Sequence, residues 1–568
     1  AGAFLSSRTY RRWDDGVFDM SPPEDRRSLR GRLSSDRVVF LLAPVVLFLT
    51  QGFHGLSETD SGFLTGISHR LLQGQQLYTD IIYVRPPVSP ILHAGILALL
   101  PRSFELIGER AIFYGMAWWS CLFGMLALRR IYGTQLDGER ATVPFVLCGT
   151  LAFVFSVNNF PPYPWHTLDG VFFASIGLYL TTRGSSSGWL FAGVVASLAA
   201  AGCKQSFYPI PLVAVVLSAT LHGRTSGIRS AFLLALSLVG VLVLSTTLYP
   251  EAWAAFLEQS SAASGWGEAI NAGFTKYLQA IPFVLVFLGV ALFVRRRRGS
   301  FALLEWFTWL VVVGALVLNV IEAYEREEWQ KSAYKYSQFM FLLALGVAIA
   351  GLRRFRRFAV TLLAFLSVSW CAGISWGTKH PILYFTPVVF GVMHLVRTHW
   401  EGRWSPSHYR TLILVVFGLY LAMAQFPRFD APRWECTYRM SDLFPQATGV
   451  KIGAFQYRQY AELKELVAEY EEPFTVLPAL PLAHYLTDTT PTLGVDWALN
   501  AELNGRRLKL RVLRELEESG SIVLIQRHWI EKKRERGDHP FGSWLTVHVV
   551  DHWELVEEGE MLNVYRLP

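Results

Sequence analysis

The sequence predicts a polytopic α-helical membrane protein that ends in a soluble α/β domain. Three observations lead there. The 568 residues are 52% hydrophobic and 17% charged, whereas soluble chains carry about a quarter charged residues. Mean hydropathy is positive, at +0.30. Apolar runs recur as far as residue 426 and then stop, leaving a polar tail in which helix and strand patterns alternate.

The apolar runs give about thirteen spans on the length and composition that a bilayer demands. They are Val38–Phe53, Ala111–Leu128, Ala141–Val157, Val171–Thr182, Trp189–Cys203, Phe207–Leu221, Ala231–Tyr249, Ile281–Val294, Leu303–Ile321, Gln338–Leu352, Phe358–Trp376, Ile382–Val396 and Leu412–Phe426. Pro90–Leu100 is apolar but too short to cross and reads as an interfacial helix. Arginine clusters orient the map. Arg129-Arg130, Arg183, Arg224, Arg295 to Arg298 and Arg353 to Arg357 fall in alternate loops, which the positive-inside rule makes cytoplasmic. Counting Pro90–Leu100 as a span would reverse every cluster after it. The organisation expected is therefore a cytoplasmic extension over 1–37, a membrane domain over 38–426 and an extracytoplasmic domain over 427–568. Outer loops at 54–110 and 158–170 lie on the same side as the tail.

In the tail, Lys451–Glu471 and Asn500–Glu518 read as helices. Phe474–Leu477, Ser521–Ile525, Leu545–Val550 and Met561–Tyr565 read as strands from their β-branched and aromatic content. The alternation implies a small α/β fold. No Gly-rich turn opens its helices as a nucleotide site requires. The net charge of +7 is explained by the cytoplasmic arginines and not by nucleic-acid binding. Five cysteines without a CxxC pair support neither a zinc knuckle nor a disulfide framework.

The stretch from Glu58 to His93 concentrates the chemistry. It carries Glu58, Asp60, Asp80, Arg85 and the run Tyr83-Val84-Arg85-Pro86-Pro87. Leu64, Ile67, Leu71 and Leu72 share one helical face, so an amphipathic helix lies within it. His69 and Arg70 on that helix read as surface residues. The second outer loop ends in His166 and Asp169, and Lys204 stands between two spans. Pro250–Tyr277 reads as a polar loop whose first base is Lys276. Acids and bases at an outer membrane surface, with no nucleotide motif, suit an activated substrate drawn from the bilayer. A sugar carried on a polyprenyl phosphate is such a substrate. Its transfer needs a base for the acceptor hydroxyl and cationic or hydrogen-bond donors for the departing phosphate.

The order of span, acid, amphipathic helix, basic-Pro-Pro, interfacial helix and span resembles the GT-C glycosyltransferases, especially family 39. That group includes lipid A aminoarabinose transferases and protein O-mannosyltransferases. The resemblance implies a GT-C fold and an inverting, single-displacement transfer from a polyprenyl-phosphate sugar to a lipid, glycan or protein acceptor. It implies Asp60 as catalytic base and Asp169 as the second acid. Arg85 would hold the donor phosphate, assisted by Lys204 and by Lys276. Glu58, Tyr83 and His166 are candidates for substrate contact. Ser61 departs from the second acid usual after the first. The phosphate-sharing base after the seventh span is missing from PEAWAAFLEQSSA. The sequence names no certain cofactor; a divalent metal is compatible with the acids, and its ligands are not legible. The setting implied is a bacterial inner membrane, with the amino terminus cytoplasmic and membrane lipids as surroundings. Two other classes stay open: a non-catalytic assembly subunit, and a transporter or flippase. A transporter would place ionisable groups within its spans, which here are nearly free of charge apart from Glu305.

Overall fold

The computed structural model describes residues 35–57, 60–132, 149–154, 156–157, 162–262, 331–353, 356–373, 431–500, 502–503, 505–536 and 543–568. Short helical patches between 275 and 321 and between 414 and 422 are described as well. The membrane part is built from α1 (Ser35–Gln51), α2 (Phe63–Leu72), α3 (Val88–Leu99), α4 (Glu105–Tyr132), α5 (His166–Arg183), α6 (Ser187–Cys203), α7 (Ile210–His222), α8 (Arg224–Leu248), α9 (Pro250–Ala262), α10 (Lys331–Gly351) and α11 (Arg356–Gly373). The spans expected at 281–294, 303–321, 382–396 and 412–426, and most of that at 141–157, lie outside the described residues or only in those patches.

Among the described residues, two helical stretches, Arg102–Ile131 and Arg224–Leu248, are long and apolar enough to cross a membrane by length and composition. They differ in surroundings. The first is mostly buried within the bundle, and the second is nearly all exposed, presenting Leu236, Val239, Val243 and Leu248 outward. An exposed apolar helix face is solvated favourably by lipid and not by water. Helices α5 and α6 pack closely because small residues meet. A Cβ on Gly177 would come within 2.9 Å of the Gly193 carbonyl oxygen, and such pairs let helix backbones approach.

The segment Val88–Leu99 is a single short helix, and α2 is the amphipathic helix expected. The stretch from Pro250 departs from the polar loop expected, because its first half is helix α9. Proline suits a first helical turn. Ala252, Ala255 and Phe256, spaced on one face, pack on a small core of Phe63, Ile67, Tyr78, Ile81 and Tyr83. Asp169, expected at the end of a loop, lies in the first turn of α5.

The carboxy-terminal unit holds a four-stranded sheet of β3 (Phe474–Leu477), β4 (Ile522–Gln526), β5 (Glu554–Glu558) and β6 (Leu562–Arg566), in the order β3-β4-β6-β5. A two-stranded ribbon, β1 (Tyr438–Arg439) with β2 (Lys451–Ile452), precedes it. β3 and β4 are parallel, joined by a crossover that includes α14 (Arg506–Glu518), and the other pairings are antiparallel. Helix α12 (Ala454–Tyr470) and the short α13 (Ala483–Thr487) come before α14, with α15 (Arg527–Arg536) and α16 (Trp544–His552) after it. Ile522 and Leu524 face one core and Val523 and Ile525 another, which is why β4 is an unbroken apolar run. The strand expected at 545–550 is helix α16. Its β-branched residues suggested a strand, but Leu545 and Val549, four apart, make the buried face. The Ser543 hydroxyl caps its start by accepting from the Thr546 amide.

This unit is seated on the 60–110 segment of the helical part. Arg70, expected at the surface, is 3% exposed. It donates to Asp496 Oδ1 at 3.0 Å and to the Leu493 carbonyl at 3.0 Å. Arg102 pairs with Asp488 at 3.2 Å, and Tyr485 donates to Glu105 at 2.8 Å. Arg511 donates to the Thr79 carbonyl at 2.6 Å. Gly66 allows the close fit, since a Cβ there would lie 2.8 Å from the Pro481 carbonyl oxygen.

Candidate active site

The site forms around Phe63, three residues after Asp60 and at the start of α2. The Phe63 ring is buried, with the Tyr83 ring 6.1 Å away, the His166 ring 6.4 Å away and the Trp497 ring 4.9 Å away. The Arg85 guanidinium lies over it, 5.1 Å from the centroid. Four segments distant in sequence therefore converge: the Tyr83–Pro87 run, the start of α5, the α2 start and a loop of the carboxy-terminal unit.

The Tyr83–Arg85 backbone is clamped from two sides. Gln259 on α9 accepts from the Tyr83 amide at 2.9 Å and donates to the Tyr78 carbonyl at 2.7 Å. The Val84 carbonyl accepts from Gln205 at 2.5 Å and from Ser260 at 3.4 Å. Arg85 is thereby fixed, and both of its terminal nitrogens reach Glu502, Nη1 at 3.0 Å and Nη2 at 2.5 Å. Lys204 sits in the break after α6, buried, with Nζ donating to Thr167 Oγ1 at 2.9 Å. Burial first, then the neighbouring Arg85, holds the Lys204 ammonium well below its ordinary pKa, while Glu502 acts in the opposite sense.

Several buried polar atoms here have no hydrogen-bond partner among the described residues: Tyr83 Oη, His166 Nδ1, Trp497 Nε1 and Asp169 Oδ2. Burial pushes the Tyr83 phenol well up, so it keeps its proton. Trp165 Nε1 donates to His166 Nε2 at 3.3 Å, which leaves the proton of the neutral ring on Nδ1. Three of the four are thus donors. Buried polar groups are nearly always satisfied, and donors beside two basic side chains have the chemistry to receive an oxygen-rich anion.

Asp169 faces the other way through Oδ1, which lies 3.3 Å from His93 Nε2. His93 Nδ1 is 3.4 Å from Glu109 Oε1, and Thr65 donates to Glu109 Oε2 at 2.6 Å. All three ionisable groups are at most 2% exposed. Burial opposes a charge on His93, but Asp169 and then Glu109 outweigh it, and its pKa is raised to about 10. The imidazolium bridges two carboxylates and couples α3, α4 and α5.

The residues expected from sequence fare differently. Arg85, Tyr83, His166 and Lys204 meet at one place, with Asp169 close enough to act on the Tyr83 phenol. Asp60 opens the short turn Asp60–Gly62, but its side chain, and all of Glu58 and Lys276, lie outside the described residues. Among the described residues no three His, Cys, Asp or Glu side chains gather as metal ligands. Phe63, His93, Glu109, Gln259, Trp497 and Glu502 were not singled out. His93 sat inside an apolar helix, and the last two lay in a domain read as separate. The signal available was a lone histidine in an otherwise apolar interfacial helix.

No family model matches this chain, and no curated protein matches it. Solved structures do. It is similar to ArnT from Cupriavidus metallidurans bound to undecaprenyl phosphate, at 11% identity over 93% of this chain and 97% of that one, with a TM-score of 0.48. It is also similar to the oligosaccharyltransferase AglB from Archaeoglobus fulgidus in complex with an inhibitory peptide and a dolichol-phosphate. There the identity is 10% over 88% of this chain and 70% of that one, with a TM-score of 0.46.

Proposed function

We propose that this protein is a membrane glycosyltransferase that takes a sugar from a polyprenyl-phosphate carrier and passes it to an acceptor hydroxyl. The observation that carries the reading is the donor set around Phe63: Arg85 and Lys204 beside the unpaired Tyr83, His166 and Trp497 donors. Preorganised donors stabilise the charge that builds on a leaving phosphate. The acids named from sequence supply the other half. Asp60 is the base for the acceptor, and Asp169 offers one unpaired oxygen to a substrate hydroxyl. Transfer is a single displacement: the acceptor oxygen bonds to the anomeric carbon, the carbon–phosphate oxygen bond breaks, and the acceptor proton passes to Asp60. The bond pair leaves with the polyprenyl phosphate. We place the reaction on the outer face of a bacterial inner membrane, where the arginine pattern puts these loops and the tail.

The test uses purified full-length protein in detergent and a panel of polyprenyl-phosphate sugars. Release of polyprenyl phosphate is followed, and donor binding is measured separately. Asp60→Asn should bind donor and lose about a hundred- to ten-thousand-fold in rate, as expected for a missing general base. Arg85→Ala should weaken binding and turnover together. If no polyprenyl phosphate binds, the transferase reading fails and a non-catalytic subunit takes its place.

A further inference from the structure

We infer that Glu502, from the carboxy-terminal unit, is a built-in counter-ion that occupies the phosphate seat on Arg85 and is displaced when a lipid phosphate binds. The inference rests on the transferase reading and names a residue that sets its donor affinity.

Two basic groups, Arg85 and Lys204, are held near one another in a largely dry place, and each disfavours the other's charge. Such a pair is costly without an anion. In this structure Glu502 is an anion that serves both. Its carboxylate takes the two Nη groups of Arg85 end-on, at 3.0 and 2.5 Å, and it supports the charge on Lys204. The pair is only 16% and 13% exposed. The end-on fork is the geometry in which a guanidinium receives a phosphate as well as a carboxylate. Both anions cannot use the same two nitrogens, and at such range they repel strongly.

The position of Glu502 fits that role. It is carried on the Trp497–Leu503 segment, where its amide donates to the Leu499 carbonyl at 3.0 Å. Trp497 on the same segment meets Phe63 edge-to-face, with centroids 4.9 Å apart, and Asp496 is anchored by Arg70. The carboxylate therefore follows the anchored Asp496 and Trp497, and its side chain can turn away while Trp497 stays. After displacement the phosphate would neutralise Arg85 and Lys204 in its place. The carboxy-terminal unit thus tunes donor affinity through one acidic side chain.

The probe is farnesyl phosphate, with uncharged farnesol as control, titrated into the detergent-solubilised full chain. Glu502→Gln keeps the shape but removes the charge, and it should bind farnesyl phosphate on the order of tenfold more tightly than wild type. Glu502→Asp keeps the charge and should show no such gain. In wild-type protein, carbodiimide modification of Glu502, read by peptide mass spectrometry, should rise when farnesyl phosphate is added. Equal or weaker binding by Glu502→Gln, or protection of Glu502 by the probe, overturns the inference. If wild type binds and Arg85→Ala weakens it, the transferase reading survives that failure. If farnesyl phosphate binds no better than farnesol to any variant, both readings fall.

Discussion

Replacing His93 by Gln removes the cation that bridges Asp169 and Glu109 while keeping a side chain of similar reach. The two carboxylates are at most 1% exposed and lose the charge between them. The folded protein must then bind a proton on one of them. Holding a carboxyl neutral at pH 7, against an ordinary pKa near 4, costs about 4 kcal/mol at about 1.4 kcal/mol per unit. Wild type also takes up a proton at pH 7, because its imidazole is ordinarily half-titrated near 6.5, which costs about 0.7 kcal/mol by the same conversion. The net loss expected is therefore about 3 kcal/mol, in the range found when a buried ion pair is broken. Its pH dependence is specific. The folded pKa of His93 is raised to about 10. Its stabilisation is thus fully present below about 6.5 and declines as pH rises towards 10. Below about pH 6.5 only the variant gains, and the difference shrinks by about 1.4 kcal/mol per unit. Thermal unfolding in detergent, followed by tryptophan fluorescence from pH 5 to pH 9, measures this. Equal midpoints at pH 7, or a gap that widens towards pH 5, would refute the bridged-imidazolium reasoning. Turnover should fall as well, because Asp169 loses its orientation, while donor binding through Arg85 persists.

Three further outcomes follow from the geometry. Arg70→Met strands the Asp496 carboxylate, which is 4% exposed, and should cost about 3–5 kcal/mol of docking; limited proteolysis should release the carboxy-terminal unit faster, and adding Asp496→Asn should restore part of the resistance. Gln259→Ala removes two hydrogen bonds from the loop that carries Arg85, worth about 1 kcal/mol each, and should weaken farnesyl phosphate binding with little change in the proteolysis of the carboxy-terminal unit. Cys436 is only 2% exposed and should resist thiol reagents, so the side of the tail is better read with Glu517→Cys at an exposed site; labelling confined to the cytoplasmic side would reverse the proposed topology.

Much of the scaffold was legible because its causes are local. Apolar runs mark helices that must bury backbone groups within themselves. The heptad-like spacing of Leu64, Ile67 and Leu71 marks α2, and the short apolar run from Pro90 marks α3. Asp169, Arg85, Tyr83, His166 and Lys204 were legible as charged or polar residues stranded beside apolar runs. Local pattern misled where two structures share a composition. The β-branched residues of 545–550 suit a strand, yet an i, i+4 apolar pair fixed a helix, and the polar look of the stretch from Pro250 concealed Phe256 on one helical face. Partnership was beyond the sequence's reach. Glu502 lies 417 residues from Arg85, Asp496 lies 426 from Arg70, and His93 lies 76 from Asp169. Which acid meets which base at such separations is decided by how α2, α3, α5 and the carboxy-terminal unit pack. The burial that packing creates also decides which of these groups keep their charge.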